Sequence, residues 1–140
     1  MPNYKSAIIV DDDPIALMLS ERLIRLAGFA DKSQSFDSAI KALKWMTDNL
    51  HEKFVLPDII LIDLHMPQMD GFTFLQKVEE LFNKGNVPDV FVLSSTVYAD
   101  DERKLNKFSF VKKIIMKPLK IEDFGTGTAS AHHQDIYTPL

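Results

Sequence analysis

Residues 59–63 read Ile59-Ile60-Leu61-Ile62-Asp63, four aliphatic residues running directly into a carboxylate. A strand with one wet face alternates apolar and polar residues. An unbroken, β-branched run of this length predicts instead a strand covered on both faces, as in a parallel sheet. The same form recurs along the chain. Residues 7–10 are apolar and lead into Asp11-Asp12-Asp13, residues 90–93 lead into Ser94-Ser95-Thr96, and residues 114–116 lead into Lys117-Pro118. A weaker strand is expected over 30–35, just after Gly28, which is placed to end a helix.

Helical patterns fill the intervals. Residues 14–27 carry Ile15, Leu19, Leu23 and Leu26, which predicts a buried face along them, with Pro14 opening the helix. Residues 38–50 carry Ile40, Leu43, Trp45, Met46 and Leu50, with Asp37 as the expected N-cap. Further helices are expected over 72–82 and 100–108, with a turn at 83–86. Strand–helix alternation of this kind implies an α/β domain with right-handed crossovers.

Composition narrows the classes of function. The chain has 140 residues, 46% apolar and 26% charged, enough for one domain with a real core. It has no cysteine, which excludes a disulfide framework, a thiolate zinc site and a cysteine nucleophile. A formal charge of −4 argues against non-specific binding to nucleic acid or an anionic membrane surface. No apolar stretch is long enough to span a bilayer, and residues 1–5 lack the apolar core of a secretory signal. The expectation is a cytoplasmic domain with neither nucleic acid nor membrane as partner. Residues 125–140, rich in Gly, Ser, Thr and Ala, are expected to be a tail rather than a separate output domain.

The polar residues carry the functional signal. In open parallel α/β sheets, sites form beyond the carboxyl ends of the strands. Four strand ends here bring a carboxylate pair, a lone carboxylate, a hydroxyl and an ammonium toward one crevice. Crowded carboxylates repel one another, and a hard divalent cation such as Mg²⁺ resolves the repulsion through oxygen ligands. A lysine and a hydroxyl aimed at the same point fit a phosphoryl group, whose transfer depends on positioning and charge neutralisation. The protein nucleophile would then be a carboxylate, giving an acyl phosphate. Taken alone, Asp13 reads as a helix cap, and Ser94 as a strand-end hydroxyl bonding nearby backbone.

These four segments together resemble the receiver domain of bacterial two-component response regulators, the CheY-like group. The matching blocks are Ile8-Ile9-Val10-Asp11-Asp12-Asp13-Pro14, Asp63-Leu64-His65-Met66-Pro67-Gln68-Met69-Asp70-Gly71, Leu93-Ser94-Ser95 and Lys117-Pro118, within a receiver expected over 5–124. The resemblance implies a doubly wound, flavodoxin-like, five-stranded parallel sheet in the order 2-1-3-4-5, with helices on both faces. It implies that Asp63 is the phosphoacceptor and a metal ligand, that Asp12 binds Mg²⁺ directly, that Asp11 binds it through water, and that the His65 backbone carbonyl is a further ligand. Mn²⁺ would substitute for Mg²⁺. Ser94 would engage the phosphoryl group, Ser95 would offer it a backbone N–H, and Lys117 would pair with its oxygen. In the family the Lys–Pro bond is commonly cis.

Three departures from the family pattern stand out. Asp63 lies 51 positions after Asp12, longer than usual, which places an extended connection near 49–57. Ile114 occupies the position, three before the lysine, where the family often has an aromatic switch residue. The last helix is short or absent, because Ile121-Glu122-Asp123-Phe124 runs straight into Gly125.

The implied function is a stand-alone phosphorylation switch. A histidine kinase or phosphotransfer protein donates the phosphoryl group and an unknown downstream protein reads it. The protein has no enzymatic activity beyond its own phosphorylation and dephosphorylation. The short last helix suggests a homodimer. A different class is a metal-dependent phosphohydrolase with Asp11 as nucleophile, since Asp11-Asp12-Asp13 has the Asp-x-Asp spacing of haloacid-dehalogenase-like enzymes. A third is a degenerate receiver that acts only as an interaction module.

Overall fold

The structure is a computed structural model that describes residues 4–52, 55–83, 85–96 and 98–125. Five strands, β1 (Tyr4–Val10), β2 (Ala30–Phe36), β3 (Ile59–Asp63), β4 (Asp89–Ser94) and β5 (Val111–Met116), form one sheet in the order β2-β1-β3-β4-β5. All four pairings are parallel, as the resemblance implied. Four α-helices connect them: α1 (Pro14–Ala27), α2 (Ala39–Asp48), α3 (Gly71–Leu81) and α4 (Ala99–Leu105). A 3-10 turn, η1 (Ile121–Phe124), follows β5. It stands where a final helix was expected to be short. Beyond Gly125 the expected tail, with His132 and His133, lies outside the described residues, as do parts of the 49–57 connection and of the 83–86 turn.

Strand alternation sorts the apolar residues onto two cores. Ile8, Val10, Ile60, Ile62, Val90, Val92 and Ile114 face α2, α3 and α4, around Phe74 and Met46. Ala7, Ile9, Ile59, Leu61, Leu93 and Ile115 face the opposite layer, with Ile24 of α1 and Phe124 of η1. Because both faces are covered, β3 is buried along its whole length. That coverage explains its continuous aliphatic run. On the α1 side, Phe29 meets Tyr4, Phe91 and Phe124 at ring-centroid distances of 5.1, 5.4 and 5.2 Å.

Three local expectations are corrected. The buried side of α1 carries Ser20 and Ile24, whereas Ile15 (71% exposed), Leu26 (66%) and Leu19 (39%) face outward. Apolar residues occupy both sides of this helix, so periodicity alone does not choose the side that the sheet covers. Ser38, not Asp37, caps α2, accepting from the Lys41 amide at 3.2 Å; Asp37 pairs with the Lys41 ammonium instead. Helix α2 ends at Asp48 rather than at Leu50, and Ile40 lies on its exposed side. Gly28 ends α1 with φ +64°, a left-handed conformation open to glycine without strain. Among the described residues, no helix is long and apolar enough to cross a membrane.

Candidate functional site

Parallel pairing aligns the carboxyl ends of β1, β3, β4 and β5, so their terminal residues share one edge of the sheet. Val10 pairs with Ile62, Asp63 with Leu93, and Ser94 with Met116. The residues immediately following therefore converge. Carboxylate oxygens of Asp11, Asp12 and Asp63 lie within 4.8 Å of one another. Asp11 is fully buried, Asp63 is 7% exposed, and Asp12 is open to solvent. This donor set is all oxygen, compact and open on one side, which fits a hard divalent cation that keeps some of its waters.

Each acid has a different local job. Asp13 caps α1, accepting from the Ile15 amide at 3.0 Å. Asp11 accepts the Asp13 amide on one oxygen at 3.0 Å and the Lys117 ammonium on the other at 2.9 Å. Asp63 receives the His65 amide at 3.4 Å and lies 3.7 Å from the same ammonium. Burial and the charge of Asp11 push the Asp63 carboxyl up to about 6, against the opposing pull of Lys117. Burial pulls the Lys117 ammonium down, yet the Asp11 hydrogen bond and the two acids raise it above its ordinary value.

The segment after Asp63 is shaped to hold that residue. Leu64 donates its amide to the Leu93 carbonyl at 2.9 Å, and the Gly71 amide returns to the Leu64 carbonyl at 2.9 Å. A Cβ on Gly71 would stand 2.9 Å from the tip of the Leu64 side chain and 3.0 Å from its Cα, so a side chain here would require Leu64 to give way by a few tenths of an ångström. Asp70 caps α3 through the Thr73 amide at 2.9 Å. His65 is exposed.

Just after β5 the Lys117–Pro118 bond is cis, as the resemblance implied. Ile114 is 2% exposed and packs in the α2–α3–α4 core. Ser94 is fully buried, and its hydroxyl is engaged by Thr96: it donates to the Thr96 carbonyl at 2.6 Å and accepts the Thr96 amide at 3.2 Å. Thr96 was not among the expected site residues. The only sequence signal for it is the hydroxyl-bearing Ser94 two positions before it, a spacing that permits a local side-chain turn.

The family model of the response regulator receiver domain matches residues 7–126, and the chain belongs to that family. It is 28% identical over 127 residues to the two-component response regulator ARR6 of Arabidopsis thaliana, covering 87% of this chain and 66% of that one. It is 28% identical over 118 residues to the probable methanogenesis regulatory protein FilR2 of Methanothrix harundinacea, covering 83% and 74%. Against the two-component response regulator ORR22 of Oryza sativa, 31% identical over 117 residues, the chain spans only 15% of the relative. Among solved structures, a two-component response regulator from Cytophaga hutchinsonii superposes with a TM-score of 0.73 at 26% identity, covering 86% and 91%. The receiver domain of the histidine kinase CKI1 from Arabidopsis thaliana, complexed with Mg²⁺ and BeF₃⁻, superposes with a TM-score of 0.67 at 20% identity, covering 74% of each chain.

Proposed function

We propose that the chain is a phosphorylation switch whose acceptor is Asp63. The observation that carries this reading is the gathering of Asp11, Asp12, Asp63 and Lys117 at one strand-end crevice. A phosphohistidine on a histidine kinase or phosphotransfer protein is the donor. An Asp63 oxygen attacks phosphorus, the P–N bond breaks as the P–O bond forms, and the imidazole leaves. With its carboxyl at about 6, Asp63 is mostly ionised at neutral pH and so holds the electron pair that the attack requires.

Asp12 and Asp63 would hold Mg²⁺ directly, Asp11 through water, and the His65 backbone carbonyl would complete the protein ligands. Mn²⁺ would serve in place of Mg²⁺. The ion, when bound, neutralises charge that builds on the phosphoryl oxygens. Lys117 pairs with one of those oxygens, the Ser94 hydroxyl meets another, and the Ser95 N–H adds a donor. The receiver unit comprises residues 5–124. It performs no chemistry beyond its own phosphorylation and dephosphorylation, and its output is altered contact with a downstream protein. Residue Ile121, 42% exposed on η1, offers an apolar point at which two copies would pair. A monomer at every concentration in sedimentation, with and without beryllofluoride, rejects that pairing.

Asp11 is a poor nucleophile in comparison. It is fully buried, and both its oxygens are already engaged, by the Asp13 amide and by Lys117. Intact mass after incubation with Mg²⁺ and acetyl phosphate tests the assignment. One phosphoryl group should appear on the wild type and none on Asp63→Asn. A gain that survives Asp63→Asn sinks the assignment and turns attention to Asp11. No gain on the wild type, together with no response to beryllofluoride, leaves the chain a pure interaction module.

A further inference from the structure

At the amino ends of β4 and β5 the surface opens into a second cleft of about 300 Å³. The pairing of these strands is parallel, so the cleft and the strand-end crevice stand at opposite ends of the sheet. Its walls carry Glu79 near the end of α3, Asn86 from the α3–β4 connection, Asp89 at the start of β4, Ser109 and Phe110 just before β5, and Lys112 on β5. The strand ladder explains how Lys112 comes to be there. Val90 pairs with Val111, but Phe91 pairs with Lys113, so Lys112 is an extra residue in β5. Such a bulge breaks the alternation of side chains and re-aims the residue it adds. Lys113 is half-buried, with its ammonium over the Phe91 ring, whereas Lys112 is exposed.

The frame of the cleft is tied down. The Val90 amide donates to the Phe110 carbonyl at 2.9 Å, and the Asp89 amide to the Asp58 carbonyl at 3.1 Å. Phe110 is buried and gives the cleft an apolar surface. One Asp89 oxygen accepts the Tyr4 hydroxyl at 2.8 Å. Burial and that bond push the phenol up, so Tyr4 stays a donor at neutral pH and keeps that oxygen engaged. The other Asp89 oxygen has no hydrogen-bond or ion-pair partner among the described residues. The same holds for the side chains of Glu79, Asn86, Ser109 and Lys112.

Single unpaired surface charges are ordinarily just hydrated. Here a bulge brings an ammonium into the same cleft as two carboxylates, and it pairs with neither. A ligand that fills the gap must present both signs: a carboxylate for the ammonium and the hydroxyl, cations for the acids. The two acids outnumber the one lysine, so the complement carries net positive charge. The volume is at the small end of ligand pockets and suits a small molecule.

We propose that this cleft binds a cationic α-amino acid, with its carboxylate on Lys112 and Ser109 and its cations on Glu79 and the free oxygen of Asp89, beside the Phe110 ring. The site is independent of the phosphoacceptor reading, because none of its residues belongs to the crevice.

The test is ¹H–¹⁵N spectroscopy of the full chain titrated with L-arginine, with agmatine, which is arginine without its carboxylate, and with L-glutamate. The wild type should show saturable shifts with L-arginine, centred on the amides of Ser109, Phe110 and Lys112. Agmatine should bind about fivefold more weakly, and L-glutamate should not saturate. Lys112→Met should weaken L-arginine about fivefold and leave agmatine unchanged, whereas Glu79→Gln should weaken both. Neither side chain has a partner to lose, so both variants should fold, and the contrast between arginine and agmatine needs no variant. No saturable shift with any of the three probes overturns the site and leaves its charges merely hydrated. Equal affinity of wild type and Lys112→Met for L-arginine overturns the role of the bulged lysine. Saturation by L-glutamate in place of L-arginine overturns the ligand class.

Discussion

Lys117 donates to Asp11 at 2.9 Å while standing 3.7 Å from Asp63, so one ammonium neutralises the buried acid first and the acceptor second. In the metal-free site it is the cation that lets three acids share one crevice. Replacing it with methionine leaves Asp11 buried without its ion pair. Lys117→Met should therefore lose about 3 kcal/mol of metal-free stability in urea, bind Mg²⁺ more tightly by calorimetry, and accept phosphate from acetyl phosphate more slowly. Unchanged Mg²⁺ affinity would show that Lys117 and the ion do not share the site.

Asp63 gives the metal-free protein a defined pH dependence. Its ordinary value is 3.8 and its value in the fold is about 6. Between those values the unfolded chain releases the proton while the folded one keeps it, so stability is lost as pH rises through this window and stays lower above it. Asp63→Asn removes that loss. In EDTA the variant should be more stable than wild type by about 1–3 kcal/mol at pH 7.5, with no advantage below about pH 4. Equal urea midpoints at pH 7.5 would contradict the raised acid.

Gly71 has little room for a side chain. The clash with Leu64 predicted for Gly71→Ala should cost about 1–3 kcal/mol. Because Leu64 follows Asp63 directly, phosphorylation measured by intact mass should slow as well. A Gly71→Ala variant with wild-type melting and wild-type phosphorylation would mean that the loop gives way freely.

Helix α1 separates the two apolar sides experimentally. Ile24→Ala on the buried side should cost about 2–4 kcal/mol, whereas Leu26→Gln on the exposed side should change stability by less than about 0.5 kcal/mol. Ser20 lies on the buried side, and its hydroxyl is the one buried side-chain polar atom without a partner among the described residues. Ser20→Ala should therefore raise stability by about 1 kcal/mol, by removing an unpaired buried hydroxyl and adding helix propensity. Thermal melts of the three variants settle which side is which.

The strand ends were legible in the residue string because burial on both faces leaves no room for polar residues inside β3, and polarity returns only where the strand stops. The same logic places Asp11, Asp12, Asp63, Ser94 and Lys117 at the ends of strands. Caps were legible within one residue: Asp13 as expected, Ser38 in place of Asp37. Both residues can cap a helix, and local backbone geometry chooses between them.

Four apolar runs ending in acids, a hydroxyl and a lysine thus locate four of the five strands and the crevice at their ends; the polar β2 was only a weaker reading, and the strand order came with the family resemblance. The side of α1 that faces the sheet was beyond their reach, because that helix is apolar on two sides and only packing against β1 and η1 selects Ile24 over Ile15. The partner of the Ser94 hydroxyl was equally hidden. A buried hydroxyl bonds whatever donor and acceptor the fold brings within 3 Å or so, and for Ser94 these are the Thr96 carbonyl and amide.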